Sequence, residues 1–101
     1  MPEPRIRFGA FIANHAPNDE SAALSIQYDL DLVELLDKLD FDEAWFGEHH
    51  SGGWEIYASP EIMIAAASQR TSRIKLGTGV VSLPYHHPFH VADRLRQIEY
   101  L

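Results

Sequence analysis

The chain contains no cysteine. That absence excludes a disulfide framework, a thiolate nucleophile and a zinc site of the finger type. No stretch approaches the ~20 consecutive apolar residues that a membrane span requires. The leading residues, Met1 to Arg5, lack the apolar core of a secretory signal, so the cytoplasm is the expected location. Bases are scarce, with eight Lys and Arg against fifteen Asp and Glu and a net charge of −7. The deficit is concentrated between Asp19 and Glu61, which hold twelve acidic residues and one base, Lys38. An acidic surface repels phosphate backbones, so neither nucleic acid nor a membrane is an expected partner. The plain reading of that charge is a solvated helix face. Hydrophobic residues make up 46% and charged residues 23% of the chain, an ordinary globular balance. With 101 residues there is room for one small domain at most.

Apolar patterning predicts strands over 6–13, 43–47 and 74–82, alternating with helices. The first helix is expected after a cap at Asn18 or Asp19 and runs to about Asp40. Leu24, Tyr28, Leu32, Leu35, Leu36 and Leu39 recur at spacings of three and four, which makes one apolar stripe opposite Asp31, Glu34 and Lys38. In the second strand Ala44, Trp45 and Phe46 are apolar in succession, the pattern of a strand covered on both faces. Ser59 and Pro60 start an alanine-rich second helix, with Glu61 near its positive end. A third helix is expected from about Phe89. Strand-helix repetition at this spacing implies right-handed βα units and a parallel sheet.

Val91, Leu95, Ile98 and Leu101 form a last apolar stripe that runs to residue 101 with no C-cap behind it. Three strands also leave sheet edges uncovered. Residues 1–101 are therefore expected to be the N-terminal part of a larger α/β protein. A (β/α)8 TIM barrel needs ~250 residues, and this chain would supply its first three units.

Function in parallel α/β folds collects at the C-terminal ends of strands. Those ends carry Asn14 and His15, then Glu48, His49 and His50, then Ser82 to His87. Five of the six histidines lie there, and His90 follows one turn later. Histidines gathered at one mouth suit proton transfer or charge stabilisation. Adjacent His49 and His50 point to opposite sides of an extended chain, and His86, His87 and His90 match no standard zinc spacing, so no metal is expected. Trp54, Tyr57 and Tyr85 read equally as pocket lining or packing. Gly77-Thr78-Gly79 is not a dinucleotide fingerprint, because Val80 and Val81 continue the strand where that motif turns into a helix. Its glycines admit close approach to the backbone, either by something flat such as a cofactor ring or by tight packing.

Together these residues resemble the bacterial luciferase-like flavin-dependent monooxygenases, which are (β/α)8 barrels. The resemblance is carried by "IRFGAFI" at 6–12, Glu48-His49-His50, the Ser59-Pro60 helix start, "LGTGVVSLP" at 76–84 and His87-Pro88. It is greatest to the limonene-monooxygenase-like branch. It implies an enzyme in which reduced FMN, delivered by a separate flavin reductase, and O2 oxygenate a small organic substrate. It further implies a homo-oligomer when full length. His49 matches the family's active-site acid/base, Glu48 a residue beside the flavin, and Gly79–Val80 a non-prolyl cis peptide behind the flavin ring. The family's phosphate-binding groups come from strands beyond this chain. Relatives of this fold that use the deazaflavin F420 for hydride transfer are the alternative. A non-catalytic piece of a truncated or split barrel is a third reading.

Overall fold

The computed structural model describes residues 5–13 and 15–101. Asn14, expected at the first strand end, lies outside the described residues. The elements are β1 (Gly9–Ile12), α1 (Ala22–Lys38), β2 (Glu43–Phe46), α2 (Pro60–Ser68), β3 (Lys75–Thr78) and α3 (Pro88–Ile98), with a 3-10 turn at Leu83–Tyr85 before α3. The three strands pair in parallel in the order β1-β2-β3. Ile12, Phe46 and Thr78 stand side by side at the end of the ladder. Whatever follows those residues emerges along one line. Among the described residues, no helix is long and apolar enough to cross a membrane.

The strands are shorter than their apolar runs, because a ladder extends only as far as both partners continue. α1 begins at Ala22 rather than after Asn18 or Asp19. Those two residues are spent in a turn closed by the Glu20 N–H donating to the Pro17 carbonyl (2.9 Å). α2 and α3 each start on proline, whose missing N–H costs nothing in a first helical turn.

The core lies between the sheet and α1 and α2. It gathers Ile12, Leu30, Val33, Ala44, Phe46 and Ile64 with their neighbours. Here α1 corrects the expected stripe. Of its six residues only Leu36 is buried, while Leu24, Tyr28, Leu32, Leu35 and Leu39 are exposed. The helix is apolar on two sides, and the sheet takes the one carrying Leu30 and Val33. β2 corrects a second expectation. Ala44 and Phe46 are fully buried toward the helices, but Trp45 alternates to the opposite face and is 40% exposed. A Cβ on Gly77 would lie 2.6 Å from the Trp45 ring, so the flat group accommodated there is this indole.

The acidic face of α1 is not merely solvated. Arg70, after α2, pairs with Asp31 and Glu34. The Asp37 carboxylate accepts the backbone N–H groups of Ser72 (2.9 Å), Arg73 (3.2 Å) and Ile74 (2.7 Å), which fastens the entry of β3 to α1. Asp42 similarly accepts the Phe8 N–H (2.9 Å) and pairs with Arg5, joining the entries of β1 and β2.

The Ser72 amide is the main reason the Asp37 carboxyl sits below the ordinary range; burial opposes it, and the Ile74 and Arg73 amides reinforce it. A depressed carboxyl contributes stability that is present above its unfolded value and lost as pH falls through its folded one. Asp37→Ala should therefore cost about 1–2 kcal/mol near neutral pH, less than three isolated charged hydrogen bonds because the site is wet. The difference from wild type should shrink in acid, as read by denaturant melts across pH. A pH-independent difference would show that the carboxylate is not the fastening group.

Candidate active site at the strand ends

β2 ends at Phe46, and Gly47 and Glu48 continue it into the interior. The Glu48 side chain is fully buried. One oxygen meets Nε2 of His50 (2.6 Å) and Nε2 of His86 (2.7 Å), and the other accepts the Ser82 N–H (2.7 Å). Burial pushes this carboxyl up, but His50, the Ser82 amide and His86 outweigh it, so Glu48 lies below the ordinary range. The cluster therefore ties the end of β2 to the segment leaving β3.

His49 turns away from Glu48, as its place between two same-side neighbours requires. Its Nε2 lies 2.6 Å from Glu55 Oε2. The other Glu55 oxygen lies 3.5 Å from His15 Nε2. This arrangement rests on backbone. His15 and Glu55 form an antiparallel bridge, the Ala16 N–H donates to the Trp54 carbonyl (2.7 Å), and the His49 N–H donates to the Tyr57 carbonyl (2.8 Å). The loop reverses through Ser51 (φ 58°) and Gly53 (φ 69°). Gly52 leaves room for the imidazole, because a Cβ there would sit 2.8 Å from His49 Cδ2.

His49, Glu48, Gly79 and Val80 all line one cleft of about 210 Å³, together with Gly47 and Glu55. The Gly79–Val80 peptide is cis. Gly79 is anchored by its N–H to the Phe46 carbonyl (2.7 Å). Gly47 and Gly79 lie against the Phe11 ring, which a Cβ on either would meet at 3.5 and 3.4 Å, so the cleft sets an aromatic side chain beside polar groups, a lining that fits a planar heteroaromatic ring. No Lys or Arg lines the cleft among the described residues, so a phosphate attached to such a ring must be held elsewhere.

The other strand-end residues divide. His86 joins Glu48 rather than His87 and His90, whose rings pair 5.4 Å apart at the start of α3. Trp54 stacks on His15 with ring centroids 4.5 Å apart, and exposed Tyr85 meets the His50 ring edge-on at 5.2 Å. Tyr57 belongs to the core, and its hydroxyl donates to Asp29. Glu48, His50 and His86 are also the group among the described residues able to hold a metal ion, with ligand atoms within 4.8 Å of one another. Their mutual hydrogen bonds satisfy the buried carboxylate without one.

The luciferase-like monooxygenase family model matches residues 6–101. The chain belongs to that family. It is 63% identical over 97 residues to limonene 1,2-monooxygenase of Rhodococcus erythropolis, covering 96% of this chain and 25% of the relative. It is 56% identical over 97 residues to 4-hydroxyprotoasukamycin monooxygenase of Streptomyces nodosus subsp. asukaensis, covering 96% of this chain and 26% of the relative. Among solved structures it resembles the oxygenating constituent of 3,6-diketocamphane monooxygenase from Pseudomonas putida, a type II Baeyer–Villiger enzyme in complex with FMN (TM-score 0.84, 28% identity, 93% of this chain and 27% of that one). The chain spans about a quarter of the length of the curated relatives it matches.

Within this luciferase-like chain, Glu55 is the site residue that sequence reasoning missed. The available signal was Ser51-Gly52-Gly53, a reversal that returns the next residues toward His49. Gly52→Ala should drive the imidazole off Glu55. A crystal structure of the variant should show the ring displaced and its Nε2 no longer paired with Glu55. An unmoved ring would mean that Gly52 is not needed for space.

Proposed function

We propose that this chain forms the first three βα units of a (β/α)8 barrel, residues 1–101 being its N-terminal part. The complete protein is an FMN-dependent monooxygenase that uses O2 to oxygenate a small organic substrate. The observation that carries the reading is one cleft lined by His49, paired with Glu55, and by Phe11, Gly47, Gly79 and Val80. The FMN bound by the Pseudomonas relative supports the choice of cofactor, and its description as an oxygenating constituent supports a separate flavin reductase. The two closely similar curated relatives are named for different substrates, so neither substrate is carried over.

When bound, reduced FMN supplies the electrons that activate O2. The chain's own residues bind, orient and move protons. Gly79 and Val80 present backbone to the ring, and Glu48 sets the cleft wall by holding His50, His86 and Ser82 together. His49 moves a proton as general acid or base. The same reading takes the full-length protein to be a cytoplasmic homo-oligomer.

His49→Ala should lower substrate oxygenation by about 10²-fold or more, the scale of a lost acid/base group. The assay is O2 uptake and product formation by the native gene product supplied with chemically reduced FMN. Undiminished turnover removes His49 from the mechanism. Hydride transfer to F420 with no O2 uptake overturns the oxygenase reading.

A further inference from the structure

Three residues share one rung of the ladder: Phe11 on β1, Trp45 on β2 and Gly77 on β3. Phe11 and Trp45 project from the face opposite the helices, since their neighbours Ile12, Ala44 and Phe46 are buried toward α1 and α2. Gly77 adds no side chain, so two aromatic groups divide the space above this rung. They lean in opposite directions. The Trp45 indole lies back toward the strand entries. It covers Gly77, its N–H donates to Glu43 (3.2 Å), and a Cβ on Gly9 would lie 3.4 Å from its Nε1. The Phe11 ring lies forward, toward the strand exits. A Cβ on Gly47 would lie 3.5 Å from its Cζ, and one on Gly79 3.4 Å from its Cε2. Starting from β1, the ring thus reaches the residues that follow both β2 and β3.

That forward lean puts Phe11 in the cleft. The polar lining comes from His49, Glu48 and Glu55, and the glycines offer backbone alone. Among the described residues, Phe11 is the largest apolar group on the cleft wall, and it is 62% exposed. Trp45, held by Glu43, does not line the cleft. A planar ring entering beside the polar groups would therefore lay an apolar face on Phe11, the contact that removes the most apolar surface from water here.

We propose that Phe11 is a cofactor-binding residue and that the flavin ring packs against its phenyl ring. This rests on the reading of the cleft as the FMN site. Gly47 and Gly79 then serve the cofactor indirectly, by leaving the phenyl ring room to lie across the strand exits.

The test is the dissociation constant of FMN for the native gene product, read by quenching of flavin fluorescence and checked by ultrafiltration. Phe11→Leu keeps an apolar side chain and loses the ring, and should weaken FMN by about 2- to 10-fold, the worth of an aromatic pair beyond its buried area. Phe11→Ala should weaken it further. Phe11→Tyr, which keeps the ring, should stay close to wild type. Trp45→Phe, on the entry half of the same face, should leave the constant unchanged. Circular dichroism checks the folding of each variant, and Phe11→Leu carries the test if Phe11→Ala does not fold. Unchanged FMN affinity in Phe11→Leu, or an equal loss in Trp45→Phe, overturns the proposal. A rise confined to the KM for substrate makes Phe11 a substrate contact and overturns it equally. If the wild-type protein binds no FMN, the functional reading fails instead.

Discussion

A carboxylate with no access to water must be answered by donors, and Glu48 is answered by three. Two imidazoles and one amide surround it, drawn from the end of β2 and from the segment that leaves β3. Leaving such a group unanswered costs more than any single bond returns, so the three bonds hold or fail together. This sets the geometry of the whole mouth. With Glu48 directed inward and His50 turned back to it, His49 is left on the opposite side, paired with Glu55 in the cleft that Gly79 and Val80 also line. The residue proposed to move the proton takes its side of the chain from the alternation around it.

The two ends of the sheet divide their labour. At the entry end, Asp37 and Asp42 collect backbone amides and arginines and hold the strands in register. At the exit end, the carboxylates Glu48 and Glu55 collect imidazoles. The same acidic surplus thus serves stability at one end and the proposed proton chemistry at the other, because the partners differ. Arginine stays charged at any working pH, whereas imidazole exchanges its proton near neutrality.

Much of this was legible in the residues. Strand-helix order, the parallel sheet, the proline helix starts, the cis bond position and the gathering of His49, Glu48, Gly79 and Val80 all followed from local pattern and resemblance. What escaped depended on choices that local pattern does not make. α1 carries apolar residues on two sides, and periodicity alone cannot say that Leu30 and Val33 go inward while Leu32 and Leu35 stay outside. His86 sits beside His87 in sequence but bonds to a carboxylate 38 residues away. Glu55 looked like one more acid in an acidic stretch until the glycine reversal brought it under His49. Asn14 lies outside the described residues, so its place at the mouth rests on sequence alone.

Trp45 and Gly77 show how such a sheet constrains its own history. The indole lies so close over Gly77 that even a methyl group there would overlap it. Neither position can drift alone. Any side chain at 77 must wait for a smaller residue at 45, and a smaller residue at 45 first opens a gap on the sheet face. The route from this surface to a differently shaped one therefore asks both positions to change together.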